Sequence, residues 1–298
     1  MSRNQTAYLT RCYRFCRLFV HVAYVVLLMA SFYPRYNKTR QALFLKRWSL
    51  KLLEILNVRL VVKGDLPAAM PANSMLAANH VSWLDIFILY TRYYARFVAK
   101  AEMRKWPVIG WLCVKVDTLF IKRVRRSDTA RINQTITHAL RGGDCIAIFP
   151  EGTTADGTYL EAFHTSLLEP AVMSQSMLYP VALRFCDRYG AVNTEVAYAD
   201  ETTLMGSLIK ILAQQEIRAE LIFAKPIPSK GKNRRELARA AEAVIASLLN
   251  LSVHRRKPGT PGDFPDTQQT DFLPTNSPYP APEHHPEVKD PALTNVRK

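Results

Sequence analysis

Residues 74–85 read SMLAANHVSWLD, and the architecture of the chain follows from how this stretch is taken. Ser74 to Ala78 is a short run of small and apolar residues, expected as a buried strand. Asn79 and His80 interrupt it, and Ser82 to Tyr94 is expected to be a helix. A buried strand running through a polar turn into a helix is the repeating unit of an α/β fold.

The same alternation extends outward on both sides. Strands are expected at Leu60–Lys63, Arg96–Ala99, Leu119–Ile121, Cys145–Phe149, Leu178–Leu183, Glu195–Tyr198 and Ala219–Phe223. Ser127 to Arg141 reads as a helix with Ser127 as its N-cap and Gly142-Gly143 as its stop. Asn233 to Leu249 supplies a late helix, and Lys105 to Cys113 a loop entering a short one. The fold class is therefore α/β, with one mixed central sheet flanked by helices.

Charge narrows the partners. The 298 residues carry 40 Lys and Arg against 25 Asp and Glu, a net charge of +15. Residues 1–60 hold 11 of the basic residues and one acid, Glu54; residues 91–131 hold another 11. Such concentration suits anionic headgroups, nucleic acid or phosphorylated substrates. The N-terminus separates these. Leu18 to Tyr33 is an apolar run of 16 residues, flanked by Arg11, Arg14 and Arg17 and by Arg35 and Lys38. That is short of the roughly 20 residues a bilayer-spanning helix needs. Gln41 to Val58 is amphipathic, with Leu43, Phe44, Trp48, Leu52 and Leu53 among Lys46, Arg47 and Lys51. Residues 8–33 and 41–58 are expected as two helices joined at Pro34, embedded in one face of an anionic bilayer. A core helix pair with a solvated charged face, or a single transmembrane span at 18–33, are the alternatives. Nucleic acid is not expected as a partner, because the aromatics lie inside apolar runs rather than on a basic surface.

Three boundaries follow: a membrane anchor over 1–58, a catalytic α/β domain over 59–254, and a tail over 255–298. Nine of the 18 prolines lie in that tail, which is expected to be disordered.

Two clusters can carry chemistry. In Asn79–Asp85, five residues separate His80 from Asp85, about 140° apart on a regular helix. They meet only if His80 sits in the turn and Asp85 inside the helix. Asp85 would then fix the imidazole tautomer and leave the other nitrogen as general base for a hydroxyl. A capping histidine beside a first-turn acid is the bland alternative. In Phe149-Pro150-Glu151-Gly152-Thr153-Thr154, a carboxylate follows a buried strand, then a glycine that permits close approach and two hydroxyls. Glu151 could accept from a substrate hydroxyl or hold a basic residue; a plain tight turn is the alternative. Lys122, Arg123, Arg125 and Arg126 follow the strand at Leu119–Ile121, and Arg123 is the candidate to face the strand-end crevice and bind phosphate. A solvated basic face is the other reading.

Other chemistries lack support. Cys12, Cys16 and His21 lie at helical spacing, yet the cysteines are expected as small apolar packers, and no metal site is expected. Neither GxGxxG, GxxxxGK[ST] nor GxSxG occurs.

With these blocks identified, the chain resembles the glycerolipid (lysophosphatidic acid) acyltransferase family. The family's NH-four-residues-D block stands at Asn79–Asp85 and its FPEGT block at Phe149–Thr153. An intervening strand with an arginine matches Leu119–Arg123, and a later V-P-V-like strand matches Leu178–Ala182. The resemblance implies acyl transfer from acyl-CoA or acyl-carrier protein to the hydroxyl of a lysolipid, with no cofactor. By position His80 would be the base, Asp85 its partner and Arg123 a phosphate ligand, while Glu151, Gly152 and Thr153 shape the acceptor site. Backbone amides near the His80 turn would hold the oxyanion, and Trp83, Phe87, Trp106 and Trp111 would line an acyl groove unless they are plain core. The expected location is the cytoplasmic face of the inner membrane, peripheral or monotopic. Position 154 is threonine where many lysophosphatidate enzymes show arginine. Glu-Gly-Thr-Thr followed by Asp156-Gly157 looks more like the lyso-ornithine lipid branch. Lysophosphatidate is the expected acceptor, lyso-ornithine lipid or another lysolipid the alternative, and an inactive membrane adaptor the competing class.

Overall fold

The computed structural model describes residues 5–121, 126–199 and 202–255, with backbone alone at 126–129. In chain order the elements are α1 (Tyr8–Ser31), α2 (Lys38–Ile55), β1 (Val58–Gly64), β2 (Ser74–Ala78), α3 (Leu84–Tyr90), β3 (Arg96–Lys100), α4 (Ile109–Lys115) and β4 (Leu119–Ile121). They continue with α5 (Arg126–Arg141), β5 (Cys145–Ile148), β6 (Leu160–Glu161), α6 (Glu169–Ser174), β7 (Met177–Cys186), α7 (Leu204–Ala213), β8 (Ile217–Phe223), β9 (Ile227–Pro228), α8 (Arg234–Leu249) and β10 (Val253–His254).

Eight of these strands form one mixed sheet in the order β1-β8-β7-β2-β5-β3-β4, with β9 added on β7. β2 lies at its centre, parallel to both β5 and β7, and every residue of it is buried. That explains the absence of polar alternation in its sequence: a strand covered on both faces has no wet side. Leu76 and Ala78 face the layer built from α2, α3 and α7. Met75 and Ala77 face the layer of α5, α6 and α8. The period of two sorts one strand into two cores. β7 runs antiparallel to β8 and β9, which makes the sheet mixed.

α2 belongs to the first core layer. It buries Leu45, Trp48, Leu52, Leu53 and Ile55. At about 1.5–3 kcal/mol per buried side chain, these five contribute as much as the typical net stability of a domain, ~5–15 kcal/mol. The expected break between an anchor and a domain at 58/59 is thus a continuous packed interface. α1 is the outer helix, with only Leu18, Val25 and Met29 buried. Its 24 residues exceed the 16-residue apolar run, and it is long and apolar enough to cross a membrane by length and composition.

Other boundaries moved for identifiable reasons. The helix expected over 82–94 is confined to Leu84–Tyr90; at its start Asp85 takes up the amides of Val81 and Ser82. The strand expected at 195–198 is a 3-10 turn at Thr194–Val196 whose next residues tie to the site described below. α6 and α7 were not anticipated; α7 spans only ten residues, with Gly206, Ser207 and Lys210 among its apolar side chains. The tail beyond 255 lies outside the described residues.

Candidate active site

The site forms where β2 and β5 end side by side. Their register pairs Ala77 with Ile148, so the third residue beyond each, His80 and Glu151, arrive at the same level. This is the crevice outside the carboxyl ends of parallel strands, where α/β proteins gather reactive groups.

His80 and Asp85 meet as the five-residue spacing required. His80 Nδ1 lies 2.8 Å from Asp85 Oδ2. The same oxygen accepts the backbone amides of Val81 (2.8 Å) and Ser82 (2.9 Å). Asp85 sits in the first turn of α3 and is fully buried, while a fifth of the His80 side chain is exposed. Three donors converging on one oxygen mark it as an acceptor, so the imidazole proton sits on Nδ1 and Nε2 is left with its lone pair.

The turn that carries His80 is fastened on every side. Its amide donates to Glu151 Oε1 at 2.6 Å, and its carbonyl accepts from Ala155 N at 2.9 Å. Val81 O accepts from Tyr198 N at 2.9 Å. Upstream, Asn79 bridges to β7: its Nδ2 donates to Leu183 O (2.9 Å) and its Oδ1 accepts Leu183 N (2.7 Å). The imidazole lies flat on Phe149, with ring centroids 3.9 Å apart and planes 11° from parallel. Phe149 in turn stacks on Phe97 at 5.9 Å.

Glu151 is 3% exposed. Its second oxygen accepts the amide of Glu161, the second residue of β6, at 2.8 Å. Burial pushes its carboxyl up to about 8, helped by the charges of Asp85 and Glu161 and opposed by the two amides that donate to it. Glu151 was expected to accept from a substrate hydroxyl, to hold a basic residue or to stand in a plain turn; each of its oxygens accepts a backbone amide, one of them that of His80. A second expectation changes with it. The amides of His80, Val81 and Ser82 all donate internally and are not available to an oxyanion.

Gly152 adopts φ 72° and its amide donates to Phe149 O at 3.0 Å, closing the tight turn its sequence suggested. Thr154 Oγ1 donates to Tyr198 O. Thr153 is half-buried, and among the described residues no protein partner engages its hydroxyl or amide. Arg123, with Lys122 and Arg125, lies outside the described residues.

The four aromatic groove candidates divide. Trp83 donates from Nε1 to Ser207 Oγ of α7 at 3.1 Å and meets Phe87 edge-on at 6.0 Å; Phe87 meets Trp48 edge-on at 5.3 Å. These two, with Trp111, pack against the first core layer. Trp106 is exposed. Cys12 and Cys16, expected as packers, are exposed on α1. Asn79 and Phe149 are the contributors that sequence reasoning passed over, although both stand inside the quoted motifs.

This constellation has counterparts. Residues 59–184 match the Acyltransferase family. The chain is 36% identical over 203 residues to the lyso-ornithine lipid O-acyltransferase of Pseudomonas aeruginosa, covering 68% of this chain and 76% of that one. It is 32% identical over 227 residues to the 1-acyl-sn-glycerol-3-phosphate acyltransferase of Neisseria gonorrhoeae, covering 75% and 86%. Among solved structures, the fold matches the 1-acyl-sn-glycerophosphate (LPA) acyltransferase PlsC of Thermotoga maritima with a TM-score of 0.62 at 19% identity, over 81% of this chain and 94% of that one. Motif, fold and sequence agree: the chain is an O-acyltransferase and belongs to the family of the lyso-ornithine lipid and 1-acyl-sn-glycerol-3-phosphate acyltransferases.

Proposed function

We propose that the protein transfers a fatty acyl group from a thioester donor, acyl-CoA or acyl-carrier protein, to the free hydroxyl of a lysolipid, with His80 as general base. The observation that carries this reading is the His80–Asp85 pair, 2.8 Å apart at a strand end, with Nε2 left free of the carboxylate. An alcohol is a poor nucleophile at neutral pH. In the proposed step its proton passes to Nε2 as its oxygen attacks the thioester carbonyl; Asp85 stabilises the imidazolium that forms. The tetrahedral intermediate then collapses, the C–S bond breaks, and the thiolate takes the proton back from Nε2. Donors for the oxyanion are sought at Thr153, since the amides around His80 are already committed.

The acceptor reading is lysophosphatidate, because Lys122, Arg123, Arg125 and Arg126 follow β4 and suit a phosphate. Lyso-ornithine lipid is the second reading. It is favoured by Thr154, which brings no charge to the site and donates to Tyr198 O, and by the Pseudomonas relative. Acyl transfer by purified protein, measured with both acceptors side by side, decides between them. No turnover with either would overturn the proposal.

Membrane association completes the reading. Phe19, Tyr24 and Leu27 of α1 and Met205 and Ile209 of α7 each leave more than half of their surface exposed, and Arg14 ties the two helices by donating to Gln214 O at 2.6 Å. An apolar surface of this breadth points to a lipid face. An enzyme seated there need not extract its acceptor fully, which would cost about 0.8 kcal/mol per CH₂. The inner, cytoplasmic leaflet and a monotopic seat fit this reading.

A further inference from the structure

A cleft of about 780 Å³ lies between α1 and α2, within the size range of small-molecule sites. It is not lined by His80 or its neighbours. Its two ends differ in chemistry. Where the N-terminal half of α1 meets the C-terminal half of α2, it is lined by Arg17, Arg47 and Lys51. Glu54 accepts from Arg17 (3.1 Å) and from Lys51 (2.8 Å), so this end keeps a surplus of two positive charges. Arg47 is exposed and has no acidic partner among the described residues. Toward the α1–α2 connection the walls are Tyr24, Leu28, Tyr36 and Phe44. Between the ends stands Trp48, 8% exposed, whose ring forms part of the wall.

A cationic end and an apolar end along one groove complement an amphiphile with a phosphate and a hydrocarbon chain. We infer that the α1–α2 groove is a second lipid site, holding one anionic diacyl phospholipid of the bilayer. Its phosphate sits on Arg17, Arg47 and Lys51 and one chain runs past Tyr24, Leu28 and Phe44. The inference rests on the reading that these helices lie at a membrane, but not on the identity of the acceptor.

Native mass spectrometry of the full chain in dodecyl maltoside tests it, with dioleoyl phosphatidylglycerol, dioleoyl phosphatidylcholine and inorganic phosphate as separate probes. The expected result is one retained phosphatidylglycerol, at least fivefold over phosphatidylcholine. Arg47→Gln/Lys51→Gln should cut that retention at least fivefold, and Val20→Trp, which fills the groove from an exposed position, should abolish it. Arg47→Gln alone keeps the test valid if the double variant folds poorly. Equal retention of both lipids, retention unchanged in the variants, or binding of inorganic phosphate without lipid would overturn the inference. Acyl transfer to lysophosphatidate and to lyso-ornithine lipid is assayed on the same preparations. Inactive protein that retains phosphatidylglycerol defeats the functional proposal alone; active protein that does not retain it defeats this one alone.

Discussion

The backbone amide of His80 donates to the carboxyl of Glu151 at 2.6 Å, and so the two sequence blocks meet through main chain rather than through substrate. The contact follows from the parallel register of β2 and β5, which carries both residues three positions past the paired Ala77 and Ile148. Asp85 holds the imidazole from one side and Glu151 holds its backbone from the other. A base held at both its ring and its peptide is preorganised, which is where positioning lowers a barrier.

His80→Ala should lower kcat by about 10³-fold or more while leaving membrane binding unchanged. Asp85→Asn should lower kcat by ~10²–10⁴-fold, because the neutral amide, whose oxygen must still accept the Val81 and Ser82 amides, no longer stabilises the imidazolium that forms. Steady-state kinetics with fixed acceptor check both. Turnover near wild type in His80→Ala would end the proposed mechanism.

Glu151 predicts a pH dependence of stability. An unfolded carboxyl releases its proton near 4.5, whereas the buried one holds it up to about 8. Between those values the native state binds more protons than the unfolded state, so stability falls as pH rises, by up to ~1.4 kcal/mol per unit, and levels off above. His21 works in the opposite sense, since burial pushes its imidazole down. The difference between wild type and Glu151→Gln isolates the carboxyl: thermal melts from pH 5 to 9 should fall less steeply in the variant. Parallel melting curves would contradict the assignment.

Asn79 replaces a rung of the sheet with a side chain, giving and taking one hydrogen bond with Leu183, 104 residues away. Asn79→Ala leaves two buried backbone groups of Leu183 unpaired, and a loss of about 2–5 kcal/mol is expected from chemical denaturation. Phe149→Ala removes the surface on which the imidazole rests, and kcat should drop about tenfold with little change in KM for either substrate.

How much of this was legible beforehand depends on whether the cause was local. β2 and the His80–Asp85 geometry could be read because burial, turn and helix start lie within twelve residues. The late helix could be read from the spacing of Leu237, Val244, Ile245, Leu248 and Leu249; its capping box, Asn233 with Glu236, is seen in the structure. The role of Glu151 could not be, because it depends on the pairing of strands 70 residues apart, and a carboxylate beside glycine and hydroxyls looks equally suited to substrate. α7 escaped although Ser207 and Lys210 interrupt its apolar residues, because ten residues are too short a window for a helical period to stand out. The edge-on contacts of Trp83 with Phe87 and of Phe87 with Trp48, and the bond from Trp83 to Ser207, were not legible because they depend on tertiary packing.

α7 also provides the sharpest test of how the enzyme meets its lipid. It is held against α1 by Arg14 and by Thr6, whose amide donates to Ala213 O at 2.7 Å. Met205 and Ile209 are exposed on this helix, as Phe19 and Leu27 are on α1. Because α2 is part of the core, deleting residues 8–58 would unfold the domain and report nothing about anchoring; exposed positions are the correct probes. Phe19→Ser/Leu27→Ser should remove ~3 kcal/mol of burial in the bilayer, about a hundredfold in vesicle partitioning. Met205→Ser/Ile209→Ser should weaken partitioning in the same direction by about tenfold. Both pairs are solvent-exposed in the fold, so thermal stability should stay within a few tenths of a kcal/mol of wild type. Cosedimentation with vesicles of phosphatidylcholine and phosphatidylglycerol measures the effect. If the α7 pair partitions like wild type while the α1 pair is released, the lipid face is α1 alone.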